Sequence, residues 1–386
     1  MPSAKKPWVL EPVIDTVFES IGGPVLAIDT PALLVDTEAV QRNIERMAAF
    51  GRETGVAIRP HAKTHKVPQI AQMQIDAGAI GQCVQKVGEA EILVAGGVRD
   101  VLIANEVVGA SKLHRLVTLA RRARITVAVD HPDAASALAE MARYHGVKVG
   151  AVVDVDVGLG RCGVLPDDAL DLGRHVHGLD GVALRGLQGY HGGIQHLQGY
   201  GKRAEAAHAA TAQLEIAVAR FREAGLATDV VTGGGTGTYE VQGGSGLFTE
   251  LQTGSYIFMD RQYCEIGGKG GKVYDDFEPA LFVLATVMST PAPDRVVLDA
   301  GYKALSNDAG PALLLDKRGW TYTYGGDEHG IIKGGGSEVA TMTLGEKVRI
   351  QPSHCDTTIN LYDRYHVIRG DVLVAIWPVA GRGKSQ

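Results

Sequence analysis

Hydrophobic residues recur along the first two thirds of the chain in short runs, and longer amphipathic stretches such as 37–54 and 202–224 separate them. Short apolar, β-branched runs are typical of buried parallel strands, whereas helical spacing of apolar residues marks the stretches between them. The runs occupy residues 32–35, 56–58, 81–84, 101–104, 125–129, 149–157, 183–189 and 229–232. Eight such units predict a closed (β/α)8 TIM-like barrel, and this number disfavours the alternative, an open doubly wound sheet.

The pattern changes after about residue 275, where helical stretches become few and Gly, Pro and Asp turns become frequent. Strand-like runs lie at 280–289, 295–300, 320–324, 347–351 and 372–377. This texture predicts a C-terminal antiparallel β domain, so the fold class is α/β. We expect an N-terminal segment at 1–27 that packs on the β domain or the barrel, a barrel at 28–270 and a β domain at 271–386.

Composition narrows the class of protein. The 386 residues are 45% hydrophobic and 21% charged, enough for a large domain, a smaller one and a sizeable core. The net charge of −6 argues against nucleic-acid binding, and no apolar run reaches the ~18 residues of a membrane span. Residues 1–12 lack a signal-peptide core, so a cytoplasmic location is expected. Four scattered cysteines predict neither disulfides nor structural zinc.

The segment 59–66 (RPHAKTHK) directly follows the apolar run 55–58. It places Lys63 at the carboxyl end of a strand, where a barrel builds its active site. Three basic residues flank this lysine: His61, His65 and Lys66. Such neighbours are expected to lower the pKa of the amine and free it for Schiff-base chemistry. Lys63 is therefore the predicted catalytic lysine, with Lys66 and Lys86 as the next candidates; the alternative is a solvated basic turn.

Polar residues also stand where the other predicted strands end, and a barrel would gather them at one mouth. They are Gln85, Lys86, Asn105, Glu106, Asp130, Asp154, Asp156, Arg161, Tyr190, His191, His196, the segment 232–238 and the segment 254–256. Small neighbours around Arg161, in 158–163 (GLGRCG), leave room for a planar ligand, although a surface salt bridge explains this arginine equally well.

The segment 232–238 (TGGGTGT) predicts a phosphate site. Glycines let backbone N–H groups approach a phosphate, and threonine hydroxyls add donors. The segment lacks the third glycine of a dinucleotide fingerprint, and 267–273 lacks the Ser/Thr of a P-loop. We therefore expect a single phosphate, with Gly254 and Ser255 as a second donor cluster. The alternative is a flexible glycine turn.

His354, Cys355 and Asp356 follow the predicted strand 347–351. In an extended segment His354 and Asp356 point to one side and Cys355 points to the other. An imidazole and a carboxylate suit a divalent ion such as Mn²⁺, Mg²⁺ or Co²⁺, with water or substrate completing the shell. The alternative is an ordinary ion pair.

Together these motifs resemble the D-threonine aldolase group of pyridoxal-phosphate enzymes, which share the alanine racemase-like fold (PLP fold type III) of barrel plus β domain. 3-Hydroxy-D-aspartate aldolases carry the same motif set, and D-serine and D-threo-3-hydroxyaspartate dehydratases are more distant. The resemblance covers nearly the whole chain. The matching segments are 59–66, 85–87, 160–163, 190–196, 232–237, 251–260, 327–330 and 352–356.

The resemblance implies roles for the residues at the mouth. Lys63 would bind pyridoxal 5'-phosphate covalently, Arg161 would hydrogen-bond its pyridine nitrogen, and Tyr190 and Gln85 would lie close to the cofactor. Phosphate contacts are implied for Thr232, Gly234, Gly235, Thr236, Gly254, Ser255 and Tyr256.

The implied metal ligands are His354 and Asp356, and His196 would act on the substrate hydroxyl. The implied reaction is a PLP- and divalent-metal-dependent retro-aldol cleavage of D-β-hydroxy-α-amino acids to glycine and an aldehyde. Dehydratases of the group place a cysteine in the metal site, so Cys355 facing away favours an aldolase. A homodimer is also implied.

Three alternatives stay open. A 3-hydroxy-D-aspartate aldolase needs a cation in the distal pocket, and the sequence does not choose between Arg261, Lys303, Lys86 or none. A dehydratase would lose water at the same site. A non-enzymatic pyridoxal-phosphate carrier of the single-barrel kind lacks a second domain, so the residues after about 275 count against it.

Overall fold

A computed structural model describes residues 20–315, 317, 319–334 and 342–386. The strands β1 to β17 are, in chain order, Ala32–Asp36, Ala57–Ile58, Gln82–Val84, Asp100–Glu106, Arg124–Val129, Val149–Asp154, Val182–Gly189, Val230–Gly233, Glu250–Leu251, Leu281–Ala292, Arg295–Leu298, Leu313–Leu314, Trp320–Tyr324, Gly330–Gly334, Lys347–Gln351, Arg364–Arg369 and Val372–Pro378. The helices α1 to α10 are Thr37–Thr54, Pro68–Asp76, Val87–Ala95, Ala110–Leu119, Pro132–Tyr144, Ala169–His177, Tyr200–Glu223, Tyr239–Gly243, Arg261–Cys264 and Cys355–Ile359.

Eight parallel strands form the barrel, in the order β2-β9-β8-β7-β6-β5-β4-β3. A parallel bridge between His61 and Cys83 joins the two end strands, and the Ala62 N–H donates to the Cys83 carbonyl at 2.8 Å. The predicted fold class, a barrel followed by an antiparallel β domain, is therefore confirmed.

The membership of the barrel differs from the prediction at both ends. The run 32–35, predicted as the first barrel strand, is β1, which pairs antiparallel with β10 and parallel with β16 in the other sheet. That prediction was wrong because periodicity identifies a buried strand without identifying its partner. The missing barrel strand is β9, which pairs with β2 and β8. Its two residues are too few to show any pattern.

Helix α1 shows how local sequence starts and ends a barrel helix. The Asp36 carboxylate accepts the N–H groups of Glu38 and Ala39 at 3.0 and 3.2 Å, and such a cap contributes about 1 kcal/mol. The helix ends at Gly55, whose φ of 75° lies in the left-handed region that glycine adopts readily because it has no side chain. Between the caps, Ile44 and Met47 are buried in the core.

The second sheet has nine strands, in the order β13-β14-β11-β10-β1-β16-β17, with β15 joining β10 to β12. Its pairs are antiparallel except for β1 with β16. The described end of the N-terminal segment lies on this sheet, because the Gly22 N–H donates to the Leu373 carbonyl at 2.8 Å. Residues 1–19 of the predicted segment lie outside the described residues, and the domain boundaries stay a prediction.

The β domain reaches the mouth of the barrel. The Arg261 N–H donates to the Pro352 carbonyl at 3.1 Å, and the Tyr365 hydroxyl donates to the His65 carbonyl at 2.8 Å. One hydrophobic cluster continues from the barrel helices into the β domain. These contacts bring the segment that contains His354 close to the segment that contains Lys63.

Candidate active site

Lys63 lies just beyond β2, on a segment held by two hydrogen bonds through His61. The Lys63 N–H donates to Nδ1 of His61 at 3.3 Å, so Nε2 of this histidine carries the proton and donates to Oε1 of Gln85 at 3.1 Å. Burial lowers the pKa of His61 well below its ordinary value, so the ring is neutral. Gln85, predicted to lie beside the cofactor, therefore also supports the lysine segment.

The far side of the segment is fixed by a buried ion pair between Lys66 and Glu89. The Lys66 Nζ lies 2.5 Å from Oε1 of Glu89, and both side chains are at least nine-tenths buried. The other carboxylate oxygen accepts the N–H groups of Gln85 and Lys86 at 2.9 and 3.1 Å. Glu89 thus ties the lysine segment to the start of α3.

The prediction that basic neighbours lower the pKa of Lys63 was wrong. Burial lowers the pKa of His65 to about 4, so this ring is neutral like that of His61. Burial also lowers the pKa of Lys63, but Asp356 and then Tyr190 outweigh it, and the pKa is raised overall. Oδ2 of Asp356 lies 3.8 Å from the Lys63 Nζ. The residue that tunes the lysine therefore comes from the β domain.

Two glycine-rich loops follow β8 and β9, and the second packs against the segment that contains Lys63. A Cβ on Gly235 would lie 2.6 Å from Oε1 of Gln195, and a Cβ on Gly254 would lie 2.8 Å from Oγ1 of Thr64. Gly234 has a φ of 71°. The loops can lie this close to their neighbours only without side chains, which suits a cradle for phosphate oxygens.

Several predicted phosphate residues already have partners in these loops. Oγ1 of Thr232 accepts from Gln252, and Oγ1 of Thr236 accepts the Tyr256 N–H, both at 3.0 Å. The Tyr256 hydroxyl accepts from Gln74 at 2.9 Å in the buried interior. The structure therefore brings the glycines, threonines and Ser255 together and points the Tyr256 phenol elsewhere.

Arg161 and Tyr190 come together at the mouth, with the guanidinium 5.9 Å from the centre of the tyrosine ring. The loop that presents Arg161 is shaped by Asp156, whose Oδ1 accepts the N–H groups of Gly158 and Gly160 at 2.9 and 3.1 Å. Arg161 is exposed, and both side chains influence the pKa of Lys63. Arg161 and Tyr190 thus lie on the same side of the mouth as the lysine.

The predicted metal pair lies at the start of a short helix and not in an extended segment. His354 is extended (φ −144°, ψ 122°) and precedes α10, which contains Cys355 and Asp356. The Cys355 side chain is buried, with its Sγ 3.5 Å from the Met259 carbonyl. The extended geometry was wrong, yet Cys355 contacts different residues from Asp356, because successive helical side chains diverge.

Two polar atoms in this part of the site have no hydrogen-bond partner among the described residues. They are Oδ1 of Asp356 and Nε2 of His196, and both are buried. The remaining ligand candidate, His354, uses its Nδ1 in a 2.6 Å contact with Oδ2 of Asp308, which leaves its Nε2. Nε2 of His354 and Oδ1 of Asp356 form a donor set that fits a divalent cation.

His196 packs against Tyr263, with ring centres 4.5 Å apart. Burial lowers its pKa, His354 lowers it further, and the result is about 4 although Asp356 acts in the opposite direction. A neutral imidazole is the form that can accept a proton. The structure therefore brings all the predicted catalytic and metal residues to one end of the barrel.

Sequence reasoning missed Asp308 and Asp260. Asp260 is fully buried, accepts the N–H groups of Tyr263 and Cys355 at 3.0 and 3.1 Å, and its pKa is raised by burial to about 6. It joins α9 to α10. The motif 251–260 ends at this residue, which was the one signal that pointed to it.

A second polar cluster lies where β4, β5 and β6 end. Ligand atoms of Glu106, Asp130 and Cys162 lie within 4.8 Å of one another, and Asp154 is buried beside Glu106. Burial and Glu106 raise the pKa of Asp154 to about 8, although Gln188 donates to it. Protonation of Asp154 reduces the repulsion between this residue and Glu106.

Comparisons with known proteins identify the family. Residues 35–262 match the family described as alanine racemase, N-terminal domain, and residues 280–368 match a putative serine dehydratase domain. The chain is 44% identical to a D-threonine aldolase of Arthrobacter sp over 95% of this chain and 96% of that one. It is 38% identical to a 3-hydroxy-D-aspartate aldolase of Paracoccus denitrificans over 93% of each.

The crystal structure of D-threonine aldolase from Filomicrobium marinum superposes with a TM-score of 0.92 at 41% identity, over 95% of this chain and 100% of that one. The chain is a lyase, and it belongs to the D-threonine aldolase family of the alanine racemase-like fold.

Proposed function

We propose that this enzyme uses pyridoxal 5'-phosphate and a divalent cation, Mn²⁺ or Mg²⁺ and less favourably Co²⁺, to cleave D-β-hydroxy-α-amino acids. D-Threonine and D-allo-threonine would give glycine and acetaldehyde. The observation that carries the proposal is the placement of Asp356, which faces the lysine with one carboxylate oxygen and keeps the other without a partner. Asp356 therefore lies next to the lysine that would bind the cofactor and is also one of the two proposed metal ligands.

The residues of the barrel would bind and orient the cofactor, whose bound form supplies an electron sink for cleavage of the Cα–Cβ bond. Lys63 would hold it covalently, and the loops after β8 and β9 would hold its phosphate. Arg161 carries donors and no proton that it readily gives up, so at the pyridine nitrogen it would bind without protonating the ring. This would limit the negative charge delocalised into the ring and disfavour racemisation.

The residues around the metal site would act on the β-hydroxyl. His354 and Asp356 would hold the cation, which lowers the pKa of a bound hydroxyl. His196 would then take the hydroxyl proton on its unpartnered Nε2. Its neutral state at neutral pH supports this role.

The side chain of the substrate can be weighed from the candidate cations for a β-carboxylate. Arg261 lies 2.6 Å from Glu265 and donates to the Pro311 carbonyl at 2.8 Å. Lys303 lies 2.5 Å from Glu328. Because both already have partners, an uncharged β-substituent fits better than a carboxylate. The 3-hydroxy-D-aspartate alternative, with glyoxylate as product, then depends on Lys86 or on a cation outside this set.

Product analysis tests the proposal. The cofactor-loaded protein is incubated with D-threonine, D-3-hydroxyaspartate or D-serine, with Mn²⁺ or with a chelator, and L-threonine serves as the control. We expect glycine and acetaldehyde from D-threonine, only when metal is present. Glycine and glyoxylate from D-3-hydroxyaspartate alone would establish the alternative aldolase. A keto acid and ammonia would show a dehydratase, and Cys355, buried away from the metal pair, argues against that outcome.

We also propose a homodimer with the active sites near the subunit interface, on the strength of the fold resemblance alone. A fully active monomer in sedimentation would contradict it. Among the described helices, none has both the length and the apolar character needed to cross a bilayer. The cytoplasmic location stays a prediction.

A further inference from the structure

Asp308 approaches the proposed metal ligand His354 from a distant part of the chain. Its Oδ2 lies 2.6 Å from Nδ1 of the histidine, and the two residues are 46 positions apart in sequence. No motif of the family resemblance includes Asp308. The contact therefore brings a residue into the site that has no role in the proposed function.

The carboxylate of Asp308 is itself held in place. Its Oδ1 accepts from the Ser306 hydroxyl at 2.7 Å and from the Thr357 hydroxyl at 2.9 Å, which leaves Oδ2 for the histidine. Thr357 lies on α10 next to Asp356. The same helix therefore presents the metal ligand Asp356 and orients Asp308, which contacts the other ligand, His354. Three hydrogen bonds thus define the orientation of one carboxylate.

We propose that Asp308 is a positioning residue for the metal site. Its carboxylate holds His354 in the tautomer that carries the proton on Nδ1, which keeps the Nε2 lone pair available for a cation. The inference rests on the proposed function. A histidine that binds a metal through one nitrogen commonly donates its other N–H to a carboxylate, which fixes the ring and makes the ligand more basic. Asp308 supplies that carboxylate.

The competing interpretation is an ordinary ion pair on the surface. The two side chains are 25% and 43% exposed, for His354 and Asp308, and such a pair would contribute little to stability. An ion pair would need a proton on both ring nitrogens, and a doubly protonated ring cannot bind a cation. The two interpretations therefore predict different consequences for metal binding.

Titration with Mn²⁺ distinguishes them. Free Mn²⁺ is measured by electron paramagnetic resonance on the cofactor-loaded protein, for the wild type and for Asp308→Ala, Asp308→Asn, His354→Gln and Glu328→Gln. We expect the Kd for Mn²⁺ to rise by ~10- to 100-fold in Asp308→Ala. A smaller rise is expected in Asp308→Asn, because the amide oxygen still accepts the Nδ1 proton. Glu328→Gln, which removes an exposed acid of the same domain, should leave the Kd unchanged.

A second measurement reports the tautomer directly. Long-range ¹H–¹⁵N spectra of histidine-labelled protein, with the His354 signals identified by their loss in His354→Gln, should show a proton on Nδ1 in the Mg²⁺-loaded wild type. We expect that signature to disappear or become mixed in Asp308→Ala. A change in folding alone would not alter one ring selectively, and unchanged signals from the other histidines show that the variant is folded.

The outcomes separate the two proposals. Loss of Mn²⁺ binding in His354→Gln together with wild-type affinity in Asp308→Ala would leave the metal site standing and overturn the role of Asp308. Binding that His354→Gln does not weaken would overturn the metal site itself, and the role of Asp308 with it. A higher Kd for Mn²⁺ in Asp308→Ala, together with loss of the proton on Nδ1 of His354, would establish the inference.

Discussion

The barrel and the β domain contribute to the active site in contrasting ways. On the barrel side, the segment that contains Lys63 is fixed by His61, by the buried Lys66–Glu89 pair and by the Tyr365 hydroxyl. On the β-domain side, Asp356 keeps a carboxylate oxygen without a partner among the described residues. The first arrangement fixes the lysine segment, although Oγ1 of Thr64 and Nε2 of His65 have no partner among the described residues, whereas the second presents an open carboxylate oxygen to a ligand.

The contrast indicates that the barrel side would hold the cofactor and the β-domain side would bind the cation. A covalently held cofactor needs one fixed attachment point, because small displacements of the reacting atoms are costly. A cation can be exchanged, and its site has to accept water, substrate or product in turn. We therefore expect variants of the lysine segment to change cofactor binding and stability, and variants of the metal ligands in the β domain to change metal binding and turnover.

The largest expected effect is that of Lys63→Ala. We predict loss of the visible absorbance of the bound cofactor and of all activity. The variant lacks the amine that would bind the cofactor, while the contacts of His61, Lys66 and Glu89 that hold the segment remain. Absorption spectra and the product assay measure the two losses, and Lys86→Ala is the control. An unchanged spectrum in Lys63→Ala would contradict the assignment and direct attention to Lys66 or Lys86.

Metal removal should separate the two halves. We predict that a chelator abolishes cleavage while the cofactor spectrum survives, and that Mn²⁺ or Mg²⁺ restores activity. Asp356→Ala should resemble the chelated enzyme without being restored at the same metal concentration. His196→Ala should bind metal normally and lose ~10²- to 10⁴-fold in turnover, the usual contribution of a general base. Full activity in excess chelator, with no metal by elemental analysis, would rule out the metal mechanism.

The buried ion pair between Lys66 and Glu89 on the barrel side should contribute to the free energy of unfolding. Glu89→Gln leaves the buried Lys66 ammonium without its counter-charge, and breaking such a pair costs about 3–5 kcal/mol of the free energy of unfolding. Chemical denaturation measures this loss. Glu328→Gln, which breaks an exposed pair with Lys303, is the matched control and should unfold like the wild type. Equal stability of the two variants would show that Lys66 is solvated or paired elsewhere.

Local patterns were sufficient to predict much of the molecule. The apolar runs gave the fold class and placed Lys63 at the end of β2, because strand ends and glycine loops are marked by neighbours in sequence. Cys355 is buried with its Sγ 3.5 Å from the Met259 carbonyl, and it lies on a helical turn and not on the extended segment that was predicted.

What the sequence could not reveal depended on contacts between distant residues. The partners of β1, the two-residue strand β9 and the support of His354 by Asp308 are set by tertiary packing. The pKa of Lys63 was misjudged for the same reason, since a carboxylate from the other domain, together with Tyr190, outweighs the effect of burial. Burial makes His61 and His65 neutral, and burial cannot be read from a run of basic residues.

The smallest expected effect concerns the acid cluster at the ends of β4 to β6, on the barrel side of the molecule. Burial and Glu106 raise the pKa of Asp154 to about 8, against ~3.9 for an unfolded aspartate. The folded protein therefore binds a proton that the unfolded chain lacks. This contribution is fully present below about pH 4 and is lost as the pH rises to about 8.

Asp154→Asn keeps the shape of the protonated acid and can still hydrogen-bond Gln188 and Glu106, so it should remove this pH dependence. We predict that the free energy of unfolding of the wild type, relative to the variant, falls with rising pH by up to about 1.4 kcal/mol per unit in that window. Denaturation at a series of pH values measures the difference, with the exposed Asp133→Asn as the control. Parallel curves for wild type and Asp154→Asn would mean that Asp154 is ionised in the folded protein. The acid cluster would then carry a further negative charge beside Glu106, and the barrel side would offer a second candidate place for a cation.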